Sequence, residues 1–129
     1  MKASYLYVGL IIIIIGGLVM LRNTSSTERA ERVTAYDGFA QCLTDSGAKF
    51  YGAYWCPHCQ SQKRMFENSK KLPYIECSTP DGNSQLPVCN DADVTTYPTW
   101  IFADGSRLEG ERSLSELGEK TNCTPPSTS

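Results

Sequence analysis

A chain of 129 residues with a formal net charge of −2 can hold one domain with its own core and an appendage, and it lacks the basic excess that nucleic-acid binding demands. Its single histidine, His58, leaves almost nothing for a mixed Cys/His metal site. Six cysteines, Cys42, Cys56, Cys59, Cys77, Cys89 and Cys123, point instead to a compartment where disulfides persist.

After Met1-Lys2 comes an uncharged, apolar run over residues 3–21. At 1.5 Å per residue a helix of that length spans roughly 28 Å, the thickness of a bilayer core. No small-x-small cleavage site precedes Arg22, so residues 1–22 read as a transmembrane anchor, with a cleaved signal peptide as the alternative. Flanking charge does not orient it. The cysteines do: a disulfide-rich domain belongs in the periplasm or extracellular space, with the N-terminus cytoplasmic. Residues 23–35 are polar and without apolar periodicity, and read as a linker.

The domain, residues 36–123, opens with a short helix that Asp37 can cap, carrying Phe39, Cys42 and Leu43 on one face and ending at Gly47. Residues 49–55 are aromatic and read as a buried strand. A helix follows from Cys56, with Pro57 at its first position, where a missing N–H costs nothing. Cys59, Gln62, Phe66 and Ser69 share one face of it. Residues 72–77 form a second strand, residues 78–85 a turn-rich loop, and residues 87–94 hold one helical turn. A third strand over 99–102 turns at Asp104-Gly105 into residues 107–109. Ser113 caps a last helix, with Glu116 completing a capping box. Residues 124–129 read as a disordered tail. The order predicts an α/β fold with a mixed sheet.

Cys56-Pro57-His58-Cys59 places a sulfur at a helix N-terminus, where free amides stabilise a thiolate. The thiolate is the species that attacks a disulfide. Cys59, one turn on, can close a ring with Cys56. His58 can donate to that thiolate or, protonated, pair with it. Zinc held by Cys56, Cys59, Cys77 and Cys89 is a rival reading, but the spacings lack a second tight knuckle; an inert structural bridge is another. The aromatic strand before the motif and the helix after it favour a working redox pair.

FYGAYWCPHCQSQKRMF, YIECSTPDG and TYPTWIFADG, in this order, resemble the thioredoxin-like domain fused to, or encoded beside, bacterial homologues of vitamin K epoxide reductase; the CPHC motif is also that of DsbA-type oxidases. The resemblance covers residues 36–123 and implies a thioredoxin fold, a central mixed sheet flanked by helices. It makes Cys56 the exposed nucleophile and Cys59 the resolving cysteine. Trp55 becomes a packing and substrate-surface residue, and Pro98 a cis-proline whose neighbour Tyr97 offers backbone groups to a substrate strand. One departure stands out: thioredoxins carry a buried Asp six residues before the first cysteine, and here that position is Phe50.

The four other cysteines allow three pairings. Cys77 and Cys89 bracket the turn-rich loop, and a bridge there contributes ~2–3 kcal/mol by loop closure. That leaves Cys42 with Cys123, although the resemblance sets their helices on opposite faces. Structural reinforcement is the leading role for Cys77–Cys89, an electron relay to Cys56–Cys59 the alternative. The function expected is membrane-tethered thiol–disulfide exchange outside the cytoplasm, without a cofactor. Cysteine-containing proteins are oxidised, and Cys56–Cys59 is renewed by a separate quinone-linked membrane protein of the vitamin K epoxide reductase or DsbB type. A reductase or isomerase, or a zinc-binding or disulfide-stapled interaction module, are the alternatives.

Overall fold

The elements run α1 (Lys2–Asp45), β1 (Lys49–Gly52), α2 (Pro57–Met65), β2 (Tyr74–Glu76), α3 (Pro87–Asn90), β3 (Thr99–Ile101), β4 (Arg107–Glu109) and α4 (Leu114–Thr121). The structure, a computed structural model, describes residues 2–127, with side chains over residues 7–19, 29–30 and 35–127. By contacts the chain forms two units, Met1–Arg32 and Val33–Ser129.

In the first unit the helix exposes Val8, Leu10 and every residue from Ile11 to Ile15. Among the described residues, no helix is long and apolar enough to cross a membrane. The apolar run expected to do so, residues 3–21, extends past the described side chains at both ends.

The backbone of residues 23–35, expected as a polar linker, is helical. No Pro or Gly interrupts the sequence from Arg22 to Asp37, so nothing there breaks the i→i−4 ladder. Asp37 is consequently inside a helix rather than capping one, and its carboxylate accepts a hydrogen bond from Ser69 Oγ. Of the tail, residues 124–127 form no helix or strand, and Thr128 and Ser129 lie outside the described residues.

In the second unit, four strands form one mixed sheet ordered β2-β1-β3-β4. β1 pairs parallel with β2 and antiparallel with β3, which pairs antiparallel with β4. Side chains alternate across β1, so Phe50 and Tyr51 enter two different cores. Phe50 joins Phe39 and Leu43 of α1, Phe66, Trp100 and Leu117 of α4; it stacks on Trp100 at 4.8 Å between centroids. Tyr51 joins Cys77, Cys89 and Val94. Each fully buried aromatic of this kind is worth ~1.5–3 kcal/mol.

Ser113 caps α4 by accepting from Glu116 N–H at 3.2 Å. The capping box stays half-closed, because the Glu116 carboxylate turns to Arg112 Nη1 at 3.2 Å. Strand order, strand directions and flanking helices are those of a thioredoxin-like α/β fold.

Candidate active site

β1 runs straight into the CxxC, and its last residue, Gly52, explains how closely. A Cβ there would lie 2.8 Å from Cys59 Sγ and 3.0 Å from Tyr74 Cε2, so only glycine leaves room for the second sulfur. A glycine inside a strand often marks such an approach.

Cys56 is the N-cap of α2, with extended backbone and Pro57 following in the first turn. Its Sγ accepts from Cys59 N–H at 3.4 Å, taking up one of the amides a helix start leaves free. Its thiol lies 3.8 Å from the Tyr97 carbonyl oxygen, which can accept from it. The Tyr97–Pro98 bond is cis, and Pro98 is buried. Thus the carbonyl of Tyr97, the residue on the N-terminal side of the cis bond, faces the sulfur that precedes Pro57. The resemblance implied an exposed Cys56; it is only 5% exposed, set among the motif's neighbours, while Tyr54 and Trp55 stand open to solvent beside it.

Cys59 is fully buried, and its thiol pKa is pushed up to about 12, first by burial and then by its hydrogen bond with Cys56. Phe50 is in the same core, so an aromatic ring stands where a carboxylate would assist proton transfer. The polar groups near Cys59 come from elsewhere. Lys63 Nζ sits 3.2 Å from the Tyr74 ring centroid, and Tyr74 Oη donates to Glu76 Oε2 at 2.7 Å. Burial lowers the Lys63 pKa, against the opposing pull of Glu76 and Cys59. Burial also raises the Tyr74 hydroxyl pKa, helped by Glu76.

His58 does not serve Cys56 in the way its sequence position suggested. It is exposed, and its Nδ1 lies 2.6 Å from Glu111 Oε1. A carboxylate only accepts, so Nδ1 carries the proton. Glu111 is held below the usual carboxylate range, first by His58 and then by Ser61. The buried Gln62 side chain brings Glu111 there: its Oε1 accepts from Arg112 N–H at 2.7 Å and its Nε2 donates to the Arg112 carbonyl at 3.0 Å. Nothing local in the sequence signals Glu111, which is 53 residues from His58.

Cys77 is bonded to Cys89, with Cα atoms 5.6 Å apart, and Cys42 to Cys123, 6.0 Å apart. Cys56 and Cys59 are free thiols. The opposite-face objection to Cys42–Cys123 does not hold. Asn122 ends α4 in the left-handed region, at φ 58°, and turns Cys123 back into the core shared with Phe39 and Leu43. Among the described residues, no group of three or more His, Cys, Asp or Glu side chains is placed to hold a metal ion.

No family model matches the chain. It is 48% identical over 88 residues to thiol-disulfide oxidoreductase LTO1 of Arabidopsis thaliana, an alignment covering 64% of this chain and 23% of that protein. It is 25% identical over 112 residues to protein disulfide isomerase-like 5-1 of Oryza sativa subsp. japonica, covering 78% of this chain and 76% of the relative. The chain thus spans less than a quarter of the first relative and about three quarters of the second. Mitochondrial thioredoxin 3 of Saccharomyces cerevisiae, in its oxidized form, superposes over 58% of this chain and 74% of its own, with a TM-score of 0.39 and 16% identity.

Proposed function

We propose that residues 36–123 form a thiol–disulfide oxidoreductase domain that oxidises cysteine-bearing clients through Cys56 and Cys59. The observation that carries this reading is the Cys56 sulfur, capping α2 at 3.4 Å from the Cys59 amide and facing the Tyr97 carbonyl at 3.8 Å. The names of two relatives, a thiol-disulfide oxidoreductase and a disulfide isomerase-like protein, support the same chemistry.

In the oxidising direction a client thiolate attacks Cys56 Sγ of the Cys56–Cys59 disulfide. The Cys56–Cys59 bond breaks, a client–Cys56 bond forms, and Cys59 leaves as a thiolate that takes up a proton. A second client thiolate then attacks the client sulfur of the mixed disulfide and releases Cys56. Two electrons have moved from client to domain. The raised pKa of Cys59 keeps the released thiol protonated, so it does not readily attack back. Renewal of the disulfide falls to a separate quinone-linked membrane protein of the vitamin K epoxide reductase or DsbB type. The apolar run over residues 3–21 and the all-round exposure of its described part support attachment to a membrane, with the domain in the periplasm or extracellular space.

The reduction potential of Cys56–Cys59 in glutathione buffers tests direction. A value between about −120 and −180 mV, the range of DsbA and protein disulfide isomerase, supports client oxidation; about −270 mV, as in thioredoxin, overturns it in favour of a reductase. Cys59→Ala tests the chemistry itself: its lone Cys56 thiolate should attack a client disulfide, displace one client thiolate and hold the mixed disulfide, since no Cys59 thiol is left to release it.

A further inference from the structure

The loop closed by Cys77–Cys89 is joined to both aromatic side chains that flank Cys56. Trp55 Nε1 donates to Ser78 Oγ at 2.8 Å, and Tyr97 Oη donates to Gln85 Oε1. The Trp55 and Tyr97 rings meet edge to face with centroids 6.0 Å apart. Ser78 and Gln85 are themselves partners in an antiparallel bridge, just inside the disulfide. The loop also lies directly against the exposed aromatics. Tyr54 Oη donates to the Pro80 carbonyl at 3.1 Å, and a Cβ on Gly82 would stand 3.4 Å from Tyr54 Oη and 3.8 Å from Trp55 Cδ1. Gly82 has φ +75°, a conformation that also favours glycine.

The two sulfurs of the loop are placed differently. Cys77 and Cys89 are fully buried in the cluster with Tyr51 and Val94, apart from the cluster that contains Cys56 and Cys59. A bond so enclosed is poorly placed to meet an attacking thiolate.

We infer that the disulfide-closed loop 77–89 is the client-positioning element of the site: through Ser78 and Gln85 it holds Trp55 and Tyr97 against Cys56, without exchanging its own disulfide during turnover. This rests on the proposed exchange function. Ser78 and Gln85 are positioning residues, because they act through the two aromatic side chains. The client class follows from the surface they hold. Tyr54 and Trp55 are 47% and 49% exposed, so an extended segment whose cysteine is flanked by apolar side chains gains contact there. A small thiol such as glutathione reaches Cys56 without using that wall.

The test measures the oxidised full chain against two reductants, a dithiol peptide with apolar residues beside its cysteines and reduced glutathione. Ser78→Ala removes the acceptor of Trp55 Nε1 and a local bond to the Thr79 carbonyl, Gln85→Leu removes the acceptor of Tyr97 Oη and a bond to the Val94 carbonyl, and both leave the disulfide intact. Each is expected to raise KM for the peptide about three- to tenfold, with kcat, the glutathione rate and the Cys56–Cys59 potential unchanged. Cys77→Ala with Cys89→Ala should show the same pattern more strongly. Unchanged peptide KM in both single variants overturns the inference, as does equal slowing with both reductants. So does loss of all exchange in the double cysteine variant while the single variants behave as wild type, which would assign the second pair to electron transfer. If the wild-type chain reacts with neither reductant, the exchange function itself fails.

Discussion

Cys56 and Cys59 stand one helical turn apart at the start of α2, whereas Cys77–Cys89 closes a loop of sequence separation 12 and Cys42–Cys123 one of 81. The bonded pairs tie together segments that would otherwise move apart, and their stabilisation scales with the loop each closes. The CxxC closes almost no loop, so its bond restrains little and can open and close without remodelling the fold. What it has instead is a helix N-terminus, a carbonyl acceptor from Tyr97 and an asymmetric pair of environments: Cys56 at the edge of the aromatic wall, Cys59 beneath Gly52. Reactivity and reinforcement are thus separated by position, although the same side chain supplies both.

Cys56→Ser sharpens that contrast most. It should lower exchange on the order of 10³-fold or more in a glutathione-coupled assay while leaving thermal stability close to wild type; a mild loss would place the nucleophile elsewhere. Cys42→Ala with Cys123→Ala should do the reverse, lowering stability by about 2–5 kcal/mol in denaturant titration with exchange retained at temperatures where the domain stays folded.

Gly52→Ala probes the packing between the strand and the second sulfur. Its Cβ would overlap Cys59 Sγ, and overpacking of this kind costs about 1–3 kcal/mol. Stability equal to wild type would show that β1 can move away from α2.

The pH dependence of the reduced domain follows from Cys59. Burial raises its pKa from 9.0 to about 12, so the fold favours the neutral thiol. That contribution is fully present below pH 9.0 and is lost as pH rises towards 12. Denaturation midpoints should therefore fall across that window in the reduced domain and less steeply in Cys59→Ala, where the raised Tyr74 hydroxyl still contributes. Alkylation at mildly alkaline pH should label Cys56 before Cys59.

The smallest effect is expected at Glu111→Gln. His58 is 72% exposed, and solvent screens such a pair. The variant should change the Cys56–Cys59 exchange rate by roughly twofold at most, measured in the glutathione-coupled assay.

Much of the site could be read along the chain because its chemistry is local. Cys56, Pro57 and Cys59 lie within one turn, and their relation to a helix N-terminus needs only the spacing and a strand before it. The aromatic content of Lys49–Gly52, the cap at Ser113 and the turn at Asp104-Gly105 are local in the same sense. Helix limits were less legible at Asp37, where cap chemistry competed with an uninterrupted helix and the tertiary bond to Ser69 gave the carboxylate another partner.

The dithiol, its place at the start of α2 and the alternation that builds the sheet are written along the chain, since each depends on residues a few positions apart. Packing alone turns His58 to Glu111, folds Cys123 back to Cys42, and sets Ser78 and Gln85 against Trp55 and Tyr97. Those contacts join residues 12 to 81 positions apart, and such distances close only when the sheet and its helices have packed.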